Sequence, residues 1–177
     1  MTVWGEFGFG EATAEDVEAI VALRDAAARW LTARGLDQWS AGEIPSCCIR
    51  QQVADHEVFV LRRGATPVGT VTLRWEDLLV WGAEVGPAGY VHNLIVDRSL
   101  AGQGLGRRLL QWAEDRVVSS GRTLVRLDCA TSNRRLRALY ESAGFHHVAD
   151  KDFPEIAMAR TTSLYEKTLS PAEAYGD

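Results

Sequence analysis

The stretch LAGQGLGRRLL at residues 100–110 has the residue types and spacing of an anion-binding loop. Gly102, Gly104 and Gly106 alternate with other residues and precede two arginines and an apolar run. Without three Cβ atoms, an oxyanion can approach the backbone N–H groups, and the dipole of a following helix favours negative charge. The loop therefore predicts a phosphate-type site, although a loop that merely turns the chain would also use glycines.

The spacing excludes two common nucleotide-binding loops. A P-loop requires GxxxxGK[ST], and no lysine follows these glycines. A dinucleotide fingerprint requires GxGxxG, and its third glycine position falls on Arg107 or Leu109. ATP and NAD are therefore not predicted as ligands of this loop.

The loop lies in a basic segment of an acidic chain. The net charge is -5, yet residues 98–137 contain nine arginines against three acidic residues. This asymmetry favours an anionic ligand. Nucleic acid is not the predicted partner, because the charge gathers around one loop and two helix starts and does not form a stripe with interleaved aromatics.

Length and composition predict one domain over residues 1–177, with residues 170–177 as a frayed tail. The chain is 46% hydrophobic with six tryptophans, enough for one buried core. It has no apolar window long enough to span a membrane, and its first residues do not resemble a signal peptide. We therefore expect a cytoplasmic protein without a membrane partner.

The three cysteines and four histidines do not predict a disulfide or a metal site. Cys47 and Cys48 are adjacent and Cys129 is remote, so we expect reduced thiols packed as small buried hydrophobes. No pair of histidines has metal-ligand spacing with a cysteine. The expectation is therefore no metal.

Hydrophobic periodicity and turn residues predict ten main elements around one sheet, with helices on both faces. The predicted strands are 7–11, two strands of a hairpin within 57–75, 90–97, 124–130 and 163–169, with an edge strand at His146 and His147. The predicted helices are 13–35, 45–55, 104–119 and 133–143. The fold class is mixed α/β.

Two motifs resemble the signatures of the GNAT superfamily of N-acetyltransferases. The sequence AGQGLG at 101–106 resembles the family's pyrophosphate loop, [QR]xxGx[GA], with Ala101 in place of the usual Gln or Arg. We expect Arg107 or Arg108 to supply the missing charge. The sequence TSNRRLRALYESAGF at 131–145 resembles the second signature, an Asn before a helix that carries a Tyr and ends in Gly-Phe.

The resemblance implies a single central mixed, mostly antiparallel sheet whose fourth and fifth strands splay apart to hold acetyl-CoA. The pantetheine amides would pair with the edge of the fourth strand, as an added strand does, and the pyrophosphate would lie on the glycine loop. Asn133 would hold the far side of the arm. The implied cofactor-binding residues also include Leu94, Ile95, Val96, Gly102, Gln103, Gly104, Leu105, Gly106, Arg107 and Tyr140.

Two residues are candidates for catalysis. Tyr140 matches the family position of a hydroxyl that protonates the departing thiolate, although its place four residues after Leu136 is also that of a core residue. His92 can act as the base, directly or through water, because a neutral imidazole accepts protons near pH 7. It is similar to the strand-four His of the serotonin N-acetyltransferase branch. A packing or substrate-shaping role for His92 stays open, and Glu84 is the alternative base.

Strand alternation predicts that Tyr90, His92 and Leu94 share one face, unless a bulge intervenes. Acidic and aromatic residues in nearby segments suit a small cationic primary amine as acceptor, and a solvated acidic surface with tryptophans in the core would explain them equally well. Peptide amines, and a non-catalytic acyl-CoA-binding module, remain alternatives, and a homodimer is common in the family. The candidate substrate-binding residues are Trp39, Glu84 and Tyr90, within a wider set of Asp37, Gln38, Glu43, Glu76, Asp77, Trp81, Asp152 and Glu155.

Overall fold

The structure is a computed structural model that describes residues 2–82, 86–153 and 161–170. The described residues form four α-helices and eight strands. The helices are α1 (Val17–Thr32), α2 (Ser46–Ala54), α3 (Leu105–Ser119) and α4 (Arg134–Ser142). The strands are β1 (Thr2–Trp4), β2 (Phe7–Glu11), β3 (Val58–Arg63), β4 (Thr66–Arg74), β5 (Ala88–Val96), β6 (Leu124–Ala130), β7 (His146–Asp152) and β8 (Thr161–Thr168).

The eight strands form one open sheet in the order β1-β2-β3-β4-β5-β6-β8-β7. Among the pairs with a described register, β5 and β6 are parallel and the others are antiparallel. The predicted mixed α/β class with a single, mostly antiparallel sheet is confirmed. The parallel register begins at Ala88↔Leu124 and ends at Val91↔Leu127, whereas β5 continues to Val96.

All four predicted helices are present, but the predicted order of main elements omitted β1 and β7. β1 has only three residues, too few for a periodic signal. β7 reads HHVADKD and is exposed along nearly its whole length, so it lacks the apolar alternation that marks a half-buried strand. The sequence predicts an edge strand only at His146 and His147, the first residues of β7.

The chain divides into two compact units. The first contains the described parts of residues 1–35, 39–73 and 93–109. Its core joins α1, α2 and β3 through Val17, Ile20, Ile49, Val53, Val58 and Val60. Just before α1, the Thr13 N–H donates to Asp16 Oδ2 at 2.6 Å as part of a capping box.

The second unit contains the described parts of residues 36–38, 74–92 and 110–177. One of its clusters packs Trp81, Ala88, Tyr90 and Leu164 together, with Leu124 against them. On α4, the Tyr140 ring lies 5.8 Å from the Tyr165 ring, measured between centroids. This unit therefore fixes the positions of both the start of β5 and the predicted acid.

The cysteines are only partly as expected. Cys129 is buried, and burial, with a smaller effect of the Asp128 charge, raises the pKa of its thiol to about 12. Cys47 and Cys48 are exposed at the start of α2, so the prediction that they pack as buried hydrophobes is wrong. α2 buries Ile49 and Val53, which are one helical turn apart, and Cys47 and Cys48 lie on its solvent face. No disulfide joins any of the three, all of which lie within the described residues.

None of the helices in the described ranges is long and apolar enough to cross a membrane.

Candidate active site

The glycine loop of the first unit leads directly into α3. Gly102 has φ +85° and Gly104 has φ +74°, a left-handed conformation that glycine adopts without steric cost. A Cβ at either position would meet no other heavy atom within 4 Å. The chain therefore needs glycine here for its backbone conformation, and the surface over the loop is open.

The N–H groups in the first turn of α3 have no carbonyl acceptor within the helix. The Arg108 N–H donates to the Gly104 carbonyl at 3.1 Å. The N–H groups of the residues just before Arg108 precede this hydrogen bond in the chain. The Gln103 N–H donates to the Leu100 carbonyl at a long 3.4 Å. Open space, left-handed glycines and a helix start together fit a pyrophosphate at this loop.

Side chains around the loop form hydrogen bonds that hold its start and provide positive charge. Asp97 accepts hydrogen bonds from the Ser99 hydroxyl and N–H at 2.7 and 2.8 Å, and these bonds lower the pKa of its carboxyl. Ala101, Arg107 and Arg108 are exposed, and the Arg108 guanidinium lies 5.1 Å from the centre of the Trp4 ring. The compensation for Ala101 by Arg107 or Arg108 stays a prediction.

The end of β5 lies in the same unit as the loop. Ile95 is buried, and Leu94 and Val96 are partly exposed. Asn93 has φ +46°, a left-handed conformation within β5 directly after His92. The strict alternation expected from Tyr90 through Leu94 is therefore broken by the irregularity that the sequence analysis left open.

In the second unit, His92 lies between two carboxylates. Its Nε2 is 3.3 Å from Asp77 Oδ2, and its Nδ1 is 3.9 Å from Asp128 Oδ1. Neither contact has the geometry of a full hydrogen bond, and Asp77 Oδ2 and His92 Nε2 have no other partner among the described residues. The exposed fraction of the side chain is 4% for Asp77, 23% for His92 and 26% for Asp128. Solvent therefore reaches the Asp128 side of the imidazole.

The three groups shift each other's pKa values. Burial of His92 opposes its charged form, but Asp77 and Asp128 outweigh burial and raise the pKa of the imidazole. Burial acts against the ionised Asp77, yet His92 and the Val80 N–H lower the pKa of this carboxyl. For Asp128, burial dominates and raises the pKa. A titratable imidazole therefore lies between one carboxylate with a lowered pKa, Asp77, and one with a raised pKa, Asp128.

Asp77 is anchored by its own turn. Its Oδ1 accepts from the Val80 N–H at 3.1 Å, and its carbonyl accepts from the Trp81 N–H at 3.0 Å. Asp77 belongs to the acceptor region predicted from the sequence, whereas the sequence predicts no role for Asp128. The available signal was a carboxylate inside LVRLDCA, a strand run whose other members are mainly buried.

Tyr140 is 5% exposed and packs against the rings of Phe145 and Tyr165. Burial, followed by the charges of Cys129 and Asp128, raises the pKa of its hydroxyl well above the usual value. The hydroxyl therefore stays protonated throughout the neutral pH range. Both readings of Tyr140, core residue and proton donor, are compatible with this environment.

Asn133 is a buried residue that caps α4. Its Oδ1 accepts from the Leu136 N–H at 3.2 Å, and its Nδ2 donates to Gln38 Oε1 at 2.7 Å. Both ends of the amide thus bind the protein. The expected contact of Asn133 with the pantetheine arm stays a prediction.

The three predicted acceptor residues differ in their surroundings. Trp39 is partly buried in the first unit, where the Arg24 guanidinium lies 5.4 Å from its ring centre. Tyr90 is buried in the second unit, and its hydroxyl accepts from Arg126 Nη1 at 3.2 Å. Glu84 lies outside the described residues. Tyr90 is thus embedded in protein, and the acceptor roles of all three stay predictions.

One group of side chains has a spacing that a cation could use. Asp77, His92 and Asp128 each offer one atom within 4.8 Å of the other two. However, Nε2 of His92 faces Asp77 and Nδ1 faces Asp128. One metal ion can bind only one of these two ring nitrogens. The arrangement suits an imidazolium between carboxylates better than a metal centre.

Comparisons with known proteins identify the family of this chain. A model described as the Acetyltransferase (GNAT) family matches residues 22–145. The chain is 36% identical over 165 residues to the uncharacterized N-acetyltransferase YesJ of Bacillus subtilis (strain 168), which covers 88% of this chain and 87% of YesJ. The similarity thus extends over most of both proteins.

Solved structures show the same fold. A GNAT-family acetyltransferase from Listeria monocytogenes 4b F2365 has a TM-score of 0.71 at 27% identity and covers 92% of this chain and 95% of its own. The protein yncA of Salmonella typhimurium, solved with its cofactor acetyl-CoA, has a TM-score of 0.71 at 16% identity over 93% and 94% of the two chains. The chain therefore belongs to the GNAT family of acetyltransferases and is an acetyl-CoA-dependent acyltransferase.

Proposed function

We propose that this enzyme transfers the acetyl group of acetyl-CoA to the primary amine of a small cationic acceptor by direct attack, with no covalent enzyme intermediate. The observation that carries the proposal is the position of His92 between two carboxylates. Imidazole is the side chain whose ordinary pKa lies nearest neutral pH, and the two carboxylates raise the pKa of His92. A base of this kind is what an amine needs, because it arrives protonated and must lose a proton before it can attack.

Acetyl-CoA supplies an activated acyl group on a good leaving thiol. The chain's own residues bind and orient this cosubstrate. The N–H groups from Gly102 to Arg107 would receive the pyrophosphate, and the backbone of Leu94, Ile95 and Val96 would pair with the pantetheine amides. Support comes from the open, left-handed glycines and from the parallel β5–β6 register, which ends at Val91 before these residues.

Tyr140 is the proposed donor to the departing thiolate. Its raised pKa, caused mainly by burial, keeps the proton on the hydroxyl at neutral pH, as an acid requires. Cys129 does not compete as a nucleophile, because its thiol is buried and has a pKa of about 12. Among the described cysteines the other two are exposed on α2 in the first unit.

A screen of primary amines tests the proposal. The purified protein is incubated with acetyl-CoA and single amines, including monoamines, polyamines, amino acids and lysine-containing peptides, and release of the coenzyme A thiol is measured. We expect turnover with at least one small cationic amine. Turnover confined to peptides would contradict the small-molecule acceptor, and no turnover with any amine would contradict the proposed reaction.

A further inference from the structure

His92 Nδ1 and Asp128 Oδ1 are close enough for one amine nitrogen to bind both from the side. Nδ1 and Asp128 Oδ1 are 3.9 Å apart, beyond the 2.7–3.2 Å of a direct hydrogen bond. The same gap is less than twice a hydrogen-bond length, so one nitrogen can lie within bonding distance of both atoms. Among the described residues, none donates a hydrogen bond to the Asp128 carboxylate, and about a quarter of this side chain is exposed.

Asp77 makes the two sides of the imidazole unequal. It is almost fully buried, held by the Val80 N–H, and faces Nε2. A carboxylate at this position favours the tautomer with the proton on Nε2. The lone pair of neutral His92 then lies on Nδ1, the nitrogen that faces Asp128 and solvent.

We propose that Asp128 receives the ammonium group of the acceptor, that Nδ1 of His92 takes its proton, and that Asp77 is a positioning residue that keeps the proton of neutral His92 on Nε2. This inference rests on the proposed function and specifies its acceptor: a primary ammonium ion, recognised by a carboxylate. Charge-assisted hydrogen bonds to a carboxylate are among the stronger polar contacts in proteins.

The protons balance in this scheme. The acceptor enters with three N–H bonds and leaves as an amide with one. The first proton passes to Nδ1 of His92 and then to water. The second replaces the proton that Tyr140 donates to the thiol sulfur as the N–C bond forms and the C–S bond breaks, and no oxidation or reduction occurs.

The scheme makes acceptor binding depend on pH. A protonated His92 and the acceptor ammonium compete for the same Asp128 carboxylate. Asp77 and Asp128 favour the protonated imidazole, whereas burial and the positive charge of Arg74 oppose it. The acceptor should therefore bind more tightly as pH rises through the pKa of His92.

Asp128→Asn tests the ammonium site, because it keeps the shape of the side chain and removes its charge. With an amine identified in the screen, we expect KM for the amine to rise about 10- to 100-fold, the usual scale for a lost charge-assisted bond. KM for acetyl-CoA should change less than about twofold. The matched control is Asp55→Asn, which removes an exposed carboxylate at the end of α2 and should leave both constants unchanged. An unchanged amine KM in an active Asp128→Asn enzyme would overturn the inference while leaving the proposed reaction intact.

The ¹⁵N NMR spectrum of the His92 ring tests the role of Asp77 without an acceptor. We expect neutral His92 of the wild type to carry its proton on Nε2, and Asp77→Asn to populate both tautomers and lower kcat. A purely structural role for Asp77 would alter stability but not the tautomer. Wild-type protein with the proton on Nδ1 would overturn the assignment, and so would inactivation by EDTA that zinc reverses, since it would make the cluster a metal site.

Discussion

At the scale of single residues, the proposed base predicts a specific pH profile. Because His92 must be neutral to accept a proton and its pKa is raised by Asp77 and Asp128, kcat/KM should increase with pH through a value above the usual 6.5. His92→Gln should lower kcat/KM by about 10² to 10⁴ and remove this limb. Steady-state rates from pH 5.5 to 9 measure both effects. A variant that keeps the same limb would show that another group titrates.

Tyr140→Phe separates chemistry from packing at the predicted acid. The variant keeps the ring, which packs against Phe145 and Tyr165, and removes only the hydroxyl. We expect turnover to fall by about 10² to 10⁴ while stabilisation by acetyl-CoA in thermal unfolding is unchanged. If turnover stays at the wild-type level, Tyr140 is a core residue without a role in proton transfer.

At the scale of elements, the loop before α3 depends on glycine conformation more than on space. Gly104→Ala places a Cβ in a left-handed backbone, which costs about 1–2 kcal/mol. Stability to urea should fall by that amount, and KM for acetyl-CoA should rise. For stability, Gly106→Ala is the matched control, because Gly106 does not have a positive φ and its Cβ would make ordinary contact with Leu94 at 3.8 Å. Equal losses of stability in both variants would argue against conformational strain as the cause.

The elements also show what the sequence could and could not predict. Helix periodicity and turn residues located all four helices. The glycine loop and the second motif at 131–145 together identified the family, which the family match confirms. β1 and β7 escaped because they are short or exposed. The partnership of His92 with Asp128 also escaped, because these residues are 36 positions apart and meet only through the parallel pairing of β5 with β6.

At the scale of the whole molecule, the same three side chains link catalysis to stability. His92 binds a proton more tightly in the folded state, so its contribution to stability is complete below the unfolded pKa of about 6.5 and is lost as pH rises through the folded value. Asp77 has a lowered folded pKa, so its contribution is lost as pH falls through that value. The pair therefore stabilises the fold most in the mildly acidic window between the two.

Asp77→Asn should thus destabilise the protein more at pH 5.5 than at pH 8.5. At pH 5.5 the variant leaves a charged imidazole without its buried partner, whereas at pH 8.5 neutral His92 needs no counter-charge. Each unit by which Asp77 raises the folded pKa of His92 corresponds to about 1.4 kcal/mol of this difference. Urea unfolding of wild type, Asp77→Asn and the exposed control Asp55→Asn at both pH values measures it. Asp128 also stabilises the imidazolium, from the other side of the ring. An equal loss of stability at the two pH values would mean that Asp128 suffices for the charge of His92 and that Asp77 stabilises its own turn through the Val80 N–H.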